Sequence, residues 1–308
     1  MLAAIKASLK SGVDISPLNF WDKKSDFNIV HIWGYDLQHY NSIKWAKLSG
    51  KKVVLTGLFP YITLKSRARN FASSFIGPGV LRNKMLEWVD AITVVNDEQQ
   101  RYVNSVLGYP MERIYVAPNI VDDKFFLAES PVAKSYVLSV GNVCLRKNQL
   151  QLVKACKKLN VPLVLVGNVL PGDERYGIEI ENELQAYSNA TWLKGIESAS
   201  SELIDIYRGA KIFALPSHTE TQPISVLEAM AGQIPVLIAD QPYARQKFFK
   251  HAFLVDANSQ SSIERGLKKI FENSKLGIAS FELIEECKET SVGKTYRNIY
   301  KCVMEHTI

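Results

Sequence analysis

The chain has 308 residues, 47% of them hydrophobic and 22% charged, the make-up of a folded protein long enough for two cores. No apolar run reaches the length of a membrane span, and the cysteines at 144, 156, 287 and 302 fit no metal spacing, so they read as reduced thiols of a cytoplasmic protein. The net charge of +6 is uneven: residues 1–128 hold 16 Lys+Arg against 11 Asp+Glu, and no nucleic-acid motif accompanies that excess.

The opening MLAAIKASLKSG reads as a short amphipathic helix, without the apolar core or cleavage site of a signal peptide. Short apolar runs then alternate with helical stretches. Asn28 to Trp33, Lys52 to Thr56, Ala91 to Val95 and Arg113 to Ala117 read as buried parallel strands, with helices over 38–49, 78–89 and 97–107. Lys44, Lys47, Lys51, Lys52, Lys65, Arg67, Arg69, Arg82 and Lys84 lie among Trp45, Phe71, Phe75 and Trp88. This is a face that suits an anionic membrane surface or phosphates, or equally a plain solvated surface.

The alternation restarts after Ser135. Strands are expected at Tyr136 to Val140, Pro162 to Val166, Thr191 to Leu193, Ala210 to Leu215 and Val236 to Ala239. Helices are expected at Gln149 to Leu159, Ser201 to Tyr207 and roughly 288–308. This order argues a Rossmann-like α/β domain. Within it lies PSHTETQPISVLEAMAGQIPVLIAD, Pro216 to Asp240. Glu220 stands on a strand-end loop, and Glu228 stands on a helix that closes at Gly232 as its C′ residue before Pro235. Ligands of open α/β sheets bind at such strand ends, and a helix start with free amides suits a phosphate. Glu228 can grip two ribose hydroxyls, and Glu220 can face a sugar beyond the phosphates.

Upstream, SVGNVCLRKNQLQ turns at Gly141 and sets Arg146 and Lys147 before the next helix, where cations suit a diphosphate. Asn142 follows the glycine.

These strings resemble the retaining GT-B glycosyltransferases of family 4, whose signature reads PS-x-x-E-G-F-G-L-P-x-L-E-A-M-A-x-G-x-P-V. Pro216, Ser217, Glu220, Leu227, Glu228, Ala229, Met230, Ala231, Pro235 and Val236 match it. Thr221, Gln222 and Pro223 replace the glycine-flanked triplet, and Pro223 has no N–H to offer. The resemblance puts Lys147 on the family's phosphate-binding lysine and Asn142 in place of its arginine, with Arg146 as a substitute charge. LVGN at Leu165 to Asn168 resembles a second strand-end turn. WLKGI at Trp192 to Ile196 resembles the base-reading segment, which brings in Gly195 and Ile196. PNIVDDKFF at Pro118 to Phe126 resembles the interdomain crossing.

The resemblance implies two Rossmann-like domains facing a cleft. The acceptor-side domain would be residues 1–128 plus the helix 288–308, and the donor-binding domain 135–287, with a linker at Glu129 to Ser135. The first domain looks truncated, lacking a strand and glycine-rich loop before Asp26. Gly57 and Leu58 stand where the family often has a histidine. His31 reads as a core histidine, His39 as a cleft candidate, and His218 as the histidine of the donor site.

The activity implied is retaining transfer of a sugar from a nucleotide-diphosphate sugar to a saccharide or lipid-linked saccharide, in surface polysaccharide or glycoconjugate synthesis. Glu220 would be catalytic. Gly141, Asn142, Arg146, Lys147, Gly195, Ile196, His218, Thr221, Gln222, Pro223, Ile224, Ser225 and Glu228 would bind the donor. No metal and no cofactor would be needed. Location would be cytoplasmic, with peripheral contact to the inner membrane face as an option. The competing reading is a weakly active or inactive donor-binding partner subunit. An epimerase or phosphorylase of the same fold is a third.

Overall fold

The computed structural model describes residues 1–19, 26–57, 59, 77–126 and 134–305. The linker expected at Glu129 to Ser135 falls mostly outside this set, as do Leu58, Lys65, Arg67, Arg69, Phe71 and Phe75. The chain forms two compact units, residues 1–120 with 289–308, and residues 121–288. The change of unit therefore falls inside PNIVDDKFF. Val121 and Phe125 pack in the core of the second unit, and the Val121 amide donates to the Cys287 carbonyl at 2.9 Å.

The first unit holds a parallel sheet in the order β1 (Ile29–Trp33), β2 (Lys52–Thr56), β3 (Ala91–Val94), β4 (Ile114–Val116). Its strands are near-continuous Val, Ile and Leu because both faces are covered. Ile43, Val53, Leu55, Met85, Ile92 and Val103 fill one side. On the other side the helix Glu289–Glu305 lays Val292, Tyr296, Ile299 and Val303 against Val54 and Ala91. The helix Asp97–Leu107 shows how local sequence sets its ends. The Asn96 side chain accepts from the Gln99 amide, acids occupy the first turn, and Gly108 ends it at φ 67°. Part of the basic face is used internally: Lys47 and Lys52 reach the buried Asp90 at 3.0 and 3.6 Å.

The second unit holds six parallel strands in the order β10 (Phe253–Val255), β9 (Val236–Ala239), β8 (Ala210–Leu215), β5 (Tyr136–Val140), β6 (Leu163–Val166), β7 (Ala190–Leu193). Leu138, Ile212, Phe213 and Leu215 are fully buried, and each such side chain contributes roughly 1.5–3 kcal/mol. Four elements lie beyond the expected pattern: the helices Glu174–Gln185, Gln260–Glu272 and Phe281–Glu285, and the three-residue edge strand β10. Among the described residues no helix is long and apolar enough to cross a membrane.

One local expectation is corrected. The helix Ile224–Ala231 does not use Gly232 as its left-handed residue. Gly232 stays at φ −77°, and Gln233 takes the left-handed position at φ 51°. The Ile234 amide then closes onto the Ala229 carbonyl at 3.0 Å, and the Gln233 side chain donates to the Met230 carbonyl.

Candidate functional site

Strand order reverses between β5 and β8, since the chain runs outward one way through β6 and β7 and the other way through β9 and β10. Open parallel sheets bind ligands beyond the carboxyl ends of strands at such a switch. The loops leaving those two strands are 141–148 and 216–223, the two that carry the charged residues.

The first loop is shaped by close backbone approach. Gly141 sits at φ 140°, and a Cβ there would come within 2.6 Å of the Lys147 amine. Gly167, at φ 139°, ends β6, and a Cβ on it would meet the Gly141 carbonyl at 2.2 Å. Leu145–Lys147 forms one 3-10 turn, and Asn148 adopts the left-handed region at φ 60°. The buried Asn148 amide donates to the Pro216 carbonyl at 3.1 Å and the Ala257 carbonyl at 2.8 Å. The His218 amide donates to the Arg146 carbonyl at 2.9 Å, and Gln149 Nε2 donates to the Asn142 carbonyl at 3.0 Å. The two loops are thus tied together by backbone and amide contacts before any charge is considered.

Glu220 is the meeting point of the charges. Its Oε2 lies 2.9 Å from Arg146 Nη1, and its Oε1 lies 3.5 Å from Lys147 Nζ and 3.1 Å from the Ser217 hydroxyl. Arg146 Nη1 also donates to the Thr219 carbonyl at 2.7 Å. Glu228 is buried on the helix that follows, and its Oε2 accepts from the Tyr207 hydroxyl at 2.7 Å. Burial pushes the Glu228 carboxyl up to about 7. The Tyr207 hydrogen bond opposes that rise, Asp122 adds to it, and the positive charge of Lys147 opposes it further.

Thr221 to Pro223 lead into the helix Ile224–Ala231, whose Val226 and Leu227 amides turn back to the Pro223 carbonyl. The Ile224 and Ser225 amides precede the intrahelical ladder. No side chain caps this helix. A buried amide pair braces the loop instead: Gln222 Nε2 donates to Gln246 Oε1 at 3.1 Å, and Gln246 Nε2 donates to the Thr221 carbonyl at 2.5 Å.

Gly195 and Ile196 follow β7, the edge strand. The Gly195 amide donates to Asn168 Oδ1 at 3.0 Å, so this segment joins the turn after β6 rather than the glutamates. His218 is half-buried on the Glu220 loop.

His31 and His39, the two other histidines singled out in the sequence, belong to the first unit. His31 is held on both nitrogens, by the Tyr300 hydroxyl and the Thr56 hydroxyl, each at 2.7 Å, and it stacks on Trp33 at 3.7 Å. Burial, with the N-terminal amine adding to it, lowers its pKa to about 3. His39 Nε2 lies 3.3 Å from Gln38 Nε2 on the turn after β1.

The family model described as "Glycosyl transferases group 1" matches residues 122–289, more than half of the chain. The chain belongs to this family. Solved glycosyltransferase structures share the fold of this group 1 chain at low identity. Sucrose-phosphate synthase from Thermosynechococcus elongatus aligns at 18% identity and TM-score 0.71, over 92% of this chain and 75% of that one. Anabaena HepE, in complex with UDP, aligns at 16% identity and TM-score 0.71, over 89% and 78%. The UDP-forming trehalose-phosphate synthase from Burkholderia xenovorans aligns at 13% identity and TM-score 0.70, over 98% and 78%. They establish an α/β, Rossmann-like GT-B fold. No curated protein sequence matches the chain.

In this glycosyltransferase three residues beyond the signature hold the site together: Asn148, Tyr207 and Gln246. Asn148 had a legible signal, an asparagine just before a helix. Tyr207 and Gln246 come from separate strands' surroundings, and no local pattern links them to Glu228 or to Thr221.

Proposed function

We propose that this glycosyltransferase is a retaining, metal-independent member of family 4. It would move a sugar from a nucleotide-diphosphate sugar to a saccharide or lipid-linked saccharide in surface polysaccharide or glycoconjugate synthesis. The observation that carries the reading is the convergence of Arg146, Lys147, Glu220 and Glu228 beyond the ends of β5 and β8. Lys147, Arg146 and the start of the helix Ile224–Ala231 offset the diphosphate's charge. That charge grows as the glycosidic bond breaks, so these groups bind the transition state more tightly than the ground state. Glu228, oriented by Tyr207, takes the ribose hydroxyls. Glu220 touches the donor sugar and stabilises its oxocarbenium character, while the departing phosphate accepts the acceptor's proton. Gly195 and Ile196 line the base end, next to Asn168. Asn142, His218, Thr221, Gln222 and Pro223 complete the donor contacts.

The similar HepE structures hold UDP and UDP-glucose, which makes uridine donors the first to try. Binding and sugar release are to be measured with UDP-, GDP- and ADP-sugars, with Glu228→Ala and Lys147→Ala as controls. Selective binding with slow release, weakened about a hundredfold in Lys147→Ala, supports a transferase. Binding without release points to a donor-binding partner subunit, and no binding to any donor sinks the reading. The basic side chains of the first unit would hold the enzyme at an anionic membrane surface. Failure to sediment with anionic vesicles at low salt removes that part.

A further inference from the structure

The cations assigned to the diphosphate are already matched by an internal anion. Glu220 is only 9% exposed, and both of its oxygens are engaged, one by Arg146 and the other by Lys147 and Ser217. Arg146, by contrast, is 44% exposed and can swing toward a ligand without leaving water. Its second contact, to the Thr219 carbonyl, keeps it at the loop when the carboxylate is given up.

We propose that Glu220 is an intramolecular competitor of the donor phosphates and so sets a preference for diphosphates over monophosphates, a role that presupposes the donor site proposed above. A monophosphate set against Lys147 gains one cation and brings its negative charge toward the Glu220 carboxylate. A diphosphate spans both cations and recovers what Glu220 releases. Freed from Arg146, the carboxylate keeps its Ser217 hydrogen bond and is available to the sugar. When the nucleoside diphosphate is the product, the return of Arg146 to Glu220 favours its release.

A half-exposed ion pair is worth up to about 1 kcal/mol, or about fivefold in affinity. The test is calorimetric binding of UDP, GDP and ADP and of their monophosphates to the intact chain. The proteins compared are wild type, Glu220→Gln, Glu220→Asp and Lys147→Ala. Glu220→Gln is expected to bind the diphosphate about threefold to fivefold more tightly. It should gain more for the monophosphate, so that the preference narrows, while sugar release slows. Glu220→Asp keeps the charge but shortens its reach. It should fall between the two, and it gives the same reading if the glutamine variant does not fold. Unchanged or weaker diphosphate binding in Glu220→Gln, or an unchanged preference, overturns the competition. If Lys147→Ala still loses binding in that case, the donor-site reading stands without it. No nucleotide binding by the wild type overturns both.

Discussion

Each unit buries a polar cluster beside its sheet, and the two are built on opposite terms. In the first unit, His31, Thr56, Thr93 and Tyr300 form a neutral chain of hydrogen bonds in which both imidazole nitrogens are taken. In the second unit, Arg146, Lys147 and Glu220 carry charge beside the titrating Glu228, and Arg146 opens to solvent. A satisfied neutral network rigidifies and leaves nothing to offer a ligand. A charged cluster with an exposed side keeps partners that can be exchanged. The histidine is therefore structural, and the glutamates are the groups proposed for the donor, although both types attract attention in a sequence.

The sharpest way to break this contrast is at Gly141. Gly141→Ala puts a methyl group within 2.6 Å of the Lys147 amine at φ 140°. Strain of this kind costs about 1–3 kcal/mol. Donor affinity measured by calorimetry should fall about thirtyfold. Hydrogen exchange at Ile29–Trp33 in the first unit should stay as in the wild type. An equal loss of protection in both units would show that the clusters are not separable.

The second prediction concerns the neutral cluster. The folded pKa of His31 is lowered from 6.5 to about 3. Between those values the unfolded chain holds a proton that the folded chain does not, so stability falls as pH drops through that window. The slope is ~1.4 kcal/mol per pH unit for one proton. Exchange-derived stability of the Ile29–Trp33 amides should follow it, and His31→Gln should lose that share of the slope. A flat profile between pH 6 and 5 would place the ring in water.

The smallest effect tests the charged cluster. Glu228 titrates at about 7, raised mainly by burial. In the proposed donor site its ionised form accepts ribose hydroxyls, so affinity for a nucleotide sugar should rise about threefold to fivefold as pH increases from 6 to 8. The diphosphate diester has no proton to lose there. Glu228→Gln should remove that rise, and its persistence would assign it to another group.

Much of this was legible in the chain. Val, Ile and Leu runs fixed Lys52–Thr56, Tyr136–Val140, Ala210–Leu215 and Val236–Ala239 at the ends expected, since strands buried on both faces carry few polar residues. The helix Gln260–Glu272 was equally readable from Ser259 and the spacing of Ile263, Leu267 and Ile270, yet lay beyond the pattern followed. The left-handed residue after Ala231 was misjudged because glycine is the usual choice there, whereas a glutamine whose side chain bonds Met230 fills it.

By itself the sequence determined the α/β alternation, the glutamates eight positions apart and the cations after Gly141, because these depend on local periodicity and turn chemistry. Only the tertiary structure decided that Glu220 closes on Arg146 and Lys147, that Tyr207 holds Glu228, and that Tyr300 and Thr56 consume His31. Those contacts span from 21 to 269 positions in the chain and are fixed by strand order and packing rather than by any neighbour in sequence.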